Sequence, residues 1–163
     1  MMSGPFLPAK LISGGQTGAD RAGLDAAITL HIPYGGALPH GRRTEDGALP
    51  ASYKYMTELS TPSYPARTAK NVRDADATLV FTIGKADRGS ALTIDTAARY
   101  HKPCLHIDLS VVPDVDAVLQ VRAWLAQIMP EVLNIAGSRE STSRGIYGRV
   151  RALLLQALSG VRR

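Results

Sequence analysis

Between Leu11 and Ala27 the chain reads LISGGQTGADRAGLDAA. An apolar pair runs into the turn Gly14, Gly15, Gln16, Thr17, Gly18, and the turn opens into a helix. Free amides at a helix start, with the helix dipole behind them, attract an anion such as a phosphate. A residue without a side chain lets ligand oxygens reach the backbone. The spacing G-G-x-x-G is neither the dinucleotide fingerprint nor a P-loop, so it names an anion site and no particular ligand. Thr17 and Asp20 also have close to the spacing of a capping box, so a purely structural role stands beside the binding one. Asp25, deeper in the helix, reads as solvent-facing or salt-bridged.

Four more segments carry groups of the same kind. In GRRTEDG, Gly41 to Gly47, Arg42 or Arg43 can fork onto a phosphate while Glu45 or Asp46 holds it or meets a ribose. The plainer alternative is that these charges pair at the surface, worth about 0–1 kcal/mol. Arg67, Lys70, Asn71 and Asp74 recur at helical spacing, and Arg67 with Asn71 can form a pocket wall. Gly89 and Ser90 open a second helix after a strand, with Ser90 readable as an ordinary N-cap. Arg139, Glu140 and Ser141 follow the last strand, as rim residues or a loop ion pair. The four histidines have no metal spacing, so no metal ligand is assigned. Cys104 reads as a small buried hydrophobe. No G-x-S-x-G elbow supports a serine nucleophile, and the catalytic residues stay unknown.

The elements that must position these groups alternate strand and helix. KLIS (10–13), DATLVFTIG (76–84), PCLHIDL (103–109) and VLNIAG (132–137) read as short strands. Helices are expected from Thr17 to about His31 and over 89–102, 115–129 and about 144–160. Val115, Val118, Leu119, Arg122 and Leu125 mark a face of the third; Ile146, Val150, Leu153, Leu154, Ala157 and Leu158 mark a face of the last. Short apolar strands between helices predict an α/β, Rossmann-like doubly wound three-layer sandwich with a mainly parallel sheet. Such sheets bind ligands at the carboxyl ends of their strands. Residues 33–65, rich in Gly, Pro and Tyr, show little periodicity and read as a long functional loop.

Composition fits one domain over 1–163: 163 residues, 45% of them hydrophobic, with no apolar run of membrane-spanning length. A single cysteine excludes an internal disulfide, and the N-terminus lacks signal-peptide features, so a cytoplasmic protein is expected. The net charge of +5 sits late, where Arg139, Arg144, Arg149, Arg151, Arg162 and Arg163 face only Glu140. That reads as a solvated basic helix and tail, and a nucleic-acid partner is not favoured.

Together, ISGGQTGADRAGLDAA, GRRTEDG, RTAKNVRDADATLVF, KPCL and LNIAGSRES with GIY resemble the family called putative molybdenum carriers. That family is related to YpsA, in the superfamily of the LONELY GUY phosphoribohydrolases and the DprA proteins. The resemblance runs from about Leu11 to Tyr147. It implies a Rossmann-like fold, a nucleotide or nucleotide-like ligand, often a homodimer, and a molybdenum-cofactor role that is an inference attached to the family. By motif, Gly14, Gly15, Thr17, Gly18 and Asp20 would line the phosphate turn, and Arg42, Arg43, Glu45 and Asp46 would close over the ligand. Arg67 and Asn71 would face it, Gly89 and Ser90 would meet it, and Arg139, Glu140 and Ser141 would finish the rim. Three departures stand out. Ala37 and Leu38 replace the family's Trp and Cys, and Ser138 replaces a Pro. Thr93 stands where the hydrolase pattern Gly-Gly-x-Gly-Thr-x-x-Glu has its glutamate, and Asp95 is two residues late. The expectation is a carrier of a small phosphate-bearing ligand, with a nucleotide-processing hydrolase and a DprA-like single-stranded DNA binder as alternatives.

Overall fold

The computed structural model describes residues 4–159; Arg162 and Arg163 of the basic tail lie outside them. Strand β1 (Lys10–Ser13) leads through the glycine turn into α1 (Ala19–Leu30), and β2 (Tyr34–Gly35) follows. Four two-residue strands come next: β3 (Ala37–Leu38), β4 (Arg43–Thr44), β5 (Gly47–Ala48) and β6 (Thr57–Glu58). The chain then runs α2 (Tyr64–Asp74), β7 (Ala77–Thr82), α3 (Arg88–Arg99), β8 (Cys104–Asp108), α4 (Asp114–Ile128), β9 (Val132–Gly137) and α5 (Ile146–Leu158).

The central sheet has the order β2-β1-β9-β7-β8 and every pairing in it is parallel. All six residues of β7 are buried, as a strand covered on both faces requires. Helix α5 packs against α1 and α4, and α2 against α3, which gives the three layers. The winding reverses in the middle. From β1 the chain moves out to β2 at one edge, and from β7 out to β8 at the other. Strand β9 then returns to fill the gap between β1 and β7. The carboxyl ends of these three strands therefore form the topological switch point, where open α/β sheets have their ligand crevice.

Residues 33–65 are ordered by packing rather than by long elements. Leu38 and Leu49 close on Leu24 of α1 as a second small core, with Tyr34, Tyr53 and Met56 against it. Strand β3 pairs with β6, and β4 with β5 as a hairpin. Two-residue strands cannot show an alternation, which is why this stretch reads as loop from sequence.

Several local expectations change. The N-cap of α1 is Gly18, with no side-chain cap, so Thr17 and Asp20 form no capping box. Asp87, not Ser90, caps α3: its carboxylate accepts from the Ser90 amide at 2.8 Å. In α4 the buried face is Ala117, Val118, Val121 and Leu125, while Val115 and Leu119 are exposed. The apolar face of α5 is buried in the main core, so it is not free for a second copy. Lys70 and Asp74 leave the Arg67 face and form a 2.7 Å surface pair.

Candidate functional site: a polar cavity at the switch point

A cavity of about 320 Å³ opens at the carboxyl ends of β1, β9 and β7. Its walls come from five places. Gly14, Gln16 and Asp20 belong to the first turn; Arg67, Thr68 and Asn71 to α2; Asp87, Arg88, Gly89 and Thr93 to the start of α3; Asn134, Ala136 and Gly137 to β9. Arg139, Ser141 and Thr142 come from the loop after it. This is the lower end of the size range for small-molecule sites.

The first wall depends on two glycines. Residue 14 must lack a Cβ because the Arg67 side chain lies where one would be, and Arg67 Nη1 donates to the Gly14 carbonyl at 2.5 Å. Gly15 has φ +70°, and a Cβ there would meet Leu38 at 2.6 Å. Its role is to turn the chain against the second core, and it does not line the cavity. The Asp20 carboxylate accepts from the Gln16 amide at 3.3 Å and lies 3.7 Å from Arg67 Nη1. Burial pushes the Asp20 carboxyl up to about 6, against the pull of Arg67, the Gln16 amide, Arg21 and Arg139. Burial likewise lowers the Arg67 guanidinium, although Asp20 opposes this.

Donors remain without partners here. Arg67 Nε, Gln16 Nε2 and Ser90 Oγ are buried side-chain atoms that make no hydrogen bond among the described residues; Arg67 and Gln16 line the cavity, and Ser90 follows Gly89, which does. Native interiors rarely leave such groups unpaired, but all three atoms are closed to solvent, so they lie within the packed wall and do not face the hollow as free donors. Arg88 is exposed at the mouth and makes no ion pair among the described residues. Tyr64 sits among Arg43, Arg67 and Arg139, whose guanidinium carbons lie 4.6, 5.3 and 5.6 Å from its ring centre. It gathers positive charge beside the cavity.

The remaining candidates hold the frame. Thr17 Oγ1 donates to Glu45 Oε2 and accepts from the Glu140 amide. Glu45 also accepts from Ser141 Oγ at 2.5 Å and lies 3.7 Å from Arg139. Although burial alone would raise the Glu45 carboxyl, these hydrogen bonds hold it below its usual value. Thr17 and Glu45 thus staple the first turn, the β4 hairpin and the β9 loop together. Glu140 accepts from the amides of Gly145 and Tyr147 at 2.6 and 3.0 Å, and so caps α5. Arg42, expected over a ligand, instead pins its own loop by donating to the carbonyls of Leu49, Pro50 and Tyr53 at 2.9–3.0 Å. Arg43 donates to Pro62 and stacks on Tyr64. Asp46 is held by Thr44 and by Arg21 at 3.6 Å. Asn71 lines the cavity, but both ends of its amide clamp Ala37 of β3, at 2.7 and 3.2 Å. Gly18 belongs to the turn and is not a cavity residue.

The structure therefore brings Gly14, Gln16, Asp20, Arg67, Asn71, Gly89, Arg139 and Ser141 to one hollow, and leaves Arg42, Arg43, Glu45, Asp46, Gly15, Gly18, Thr17, Ser90 and Glu140 out of its lining. Sequence reasoning missed Asp87, Arg88 and Asn134. Asn134 carried a signal: an amide inside the apolar run VLNIAG, buried at 3% exposure, its Nδ2 3.3 Å from Thr78 Oγ1. Thr93 also lines the cavity and donates to the Gly89 carbonyl, so no carboxylate stands at that place. Asp25 is neither free nor salt-bridged; it accepts from the hydroxyls of Tyr53 and Tyr147. Among the described residues no cluster of three or more His, Cys, Asp or Glu is arranged to hold a metal ion, and no helix is long and apolar enough to cross a membrane.

The model of the circularly permutated YpsA SLOG family matches residues 11–158. A crystal structure of a putative molybdenum carrier protein from Syntrophus aciditrophicus SB is similar over 96% of this chain and 98% of that one, at 47% identity and a TM-score of 0.92. No curated protein matches.

Proposed function

The chain belongs to the circularly permutated YpsA SLOG family, and from that premise we propose that it is a carrier which binds a nucleotide-like, phosphate-bearing small molecule in the switch-point cavity. The observation that carries this reading is the polar hollow at the switch point, which three arginines, Arg67, Arg88 and Arg139, line beside the start of α3. Guanidinium groups beside helix starts suit a phosphate. The name of the similar Syntrophus protein suggests molybdenum as cargo. The residues suit its cofactor form better than a bare metal ion. Cys104 is outside the cavity and burial pushes its thiol up to about 11, so no thiolate is on offer. Arg67, Arg88 and Arg139 would hold the phosphate end of such a cofactor. We place the protein in the cytoplasm and expect a homodimer.

Isothermal titration with adenosine monophosphate and inorganic phosphate tests the reading. Saturable binding that weakens in Arg88→Ala supports it. No heat with either probe at millimolar concentration overturns it.

A second reading, a hydrolase, has one observation in its favour. In a permuted chain the hydrolase carboxylate need not stand at Thr93, and Asp20 is a buried acid in the same cavity with a pKa of about 6. Adenine release from adenosine monophosphate by pure protein would select that reading, and its loss in Asp20→Asn would assign the acid.

A further inference from the structure

We infer that Asp20 selects the protonation state of the ligand: the cavity takes an oxyanion that carries a proton, hydrogen phosphate or the monoanion of a phosphate monoester, and rejects proton-free oxyanions such as sulfate or bare molybdate. This rests on the reading that the cavity binds phosphate, and it narrows the ligand class.

The two oxygens of the Asp20 carboxylate have different surroundings. Asp20 is only 7% exposed and lines the cavity. Its Oδ2 takes the Gln16 amide and faces Arg67. Among the described residues the contacts to this carboxylate fall on Oδ2 and none on Oδ1. An ionised carboxylate can only accept. Of the other charged groups at the hollow the arginines favour an anion, and Asp87, half-buried at the start of α3, holds the Ser90 amide through one oxygen. Arg67 faces Asp20 from α2, Arg139 from the β9 loop, Arg21 from its own helix and Arg88 from the start of α3. An oxyanion drawn in by the arginines therefore meets an acceptor with its own acceptor oxygens. Two acceptors repel unless one proton sits between them, and rejection by an unmatched group is how a site refuses the wrong ligand.

The proton has two sources. Hydrogen phosphate brings its own and donates it to Asp20. Sulfate and molybdate carry none near neutral pH, so Asp20 must first be protonated and donate instead. Burial holds that carboxyl at about 6, so each pH unit above it reduces sulfate affinity about tenfold while hydrogen phosphate is spared. A phosphate monoester, whose second pKa is about 6, binds with uptake of one proton at higher pH.

The test is a competition series with inorganic phosphate and sodium sulfate on the full chain, from about pH 5 to about pH 8. The expected preference for phosphate is within a few-fold near pH 5 and about 100-fold near pH 8, with sodium molybdate following sulfate. In Asp20→Asn the amide both donates and accepts, so the preference near pH 8 falls to a few-fold. If Asp20 only held Arg67 in place, both anions would weaken together and the ratio would stay. Equal binding of the two anions by the parent protein near pH 8 overturns the inference. So does an undiminished ratio in Asp20→Asn. Should that variant not fold, the pH series on the parent decides alone, and a ratio that stays flat overturns the idea. If no anion binds at all, the phosphate reading itself fails and takes this inference with it.

Discussion

Gly15 and Arg88 show how differently two residues near one site can matter. Valine at residue 15 would put a branched side chain at φ +70° against Leu38, so Gly15→Val is expected to lower the melting temperature and disturb the second core. The glycine pattern pointed to a ligand; at this position the geometry points to packing. Arg88 is the cleaner probe, since it is exposed and lines the cavity mouth. A charge-assisted hydrogen bond contributes about 1.5–3 kcal/mol, so Arg88→Ala should reduce phosphate affinity about tenfold or more in titration calorimetry. Its melting temperature should stay within a degree or so of the parent, because the residue packs against little. Asp20 makes a third prediction. Between about pH 4 and 6 the folded chain keeps a proton on Asp20 that the unfolded chain has lost. The stability it contributes therefore falls as pH rises through that window, by about 3 kcal/mol in all, and stays lower above it. Thermal melts of Asp20→Asn and parent should diverge in the variant's favour from about pH 4 to about pH 6 and then run parallel. A constant difference would contradict it.

At the scale of elements, the glycine turn, the β4 hairpin and the loop after β9 are one assembly. Glu45 joins them through Thr17, Ser141 and Arg139. Glu45→Ala should therefore raise amide hydrogen exchange in residues 41–47 and 139–143 together, and leave the strands of the central sheet protected. Faster exchange in only one of the two segments would refute the coupling. Because the Glu45 carboxyl is held below its ordinary value, its contribution is present above the usual carboxylate range and is lost as acid protonates it. How much of this was legible follows from element length. The strands of residues 10–13, 77–82, 104–108 and 132–137 are apolar runs long enough to be read, and with the helices between them they specify a parallel sheet. That in turn places the turn after β1 and the start of α3 at one edge, so the hollow itself was foreseeable. Ownership of side chains was not. Arg42 and Arg67 look alike in sequence, yet the first serves three carbonyls of its own loop and the second lines the cavity. Nothing local decides between them; Gly14, 53 residues away, does.

For the whole molecule, the expected homodimer needs a surface other than α5, whose apolar face is already in the core. Val111, Val115 and Leu119 lie 74, 67 and 58% exposed at the start of α4. Light scattering at micromolar protein should give twice the chain mass, and a monomer would contradict the dimer. The central claim concerns the cavity, and it can be observed directly. A crystal structure grown with saturating adenosine monophosphate should show the phosphate at the switch point, within hydrogen-bonding distance of Arg67, Arg88 or Arg139. Phosphate density elsewhere on the molecule, with the cavity holding only water, would contradict the account.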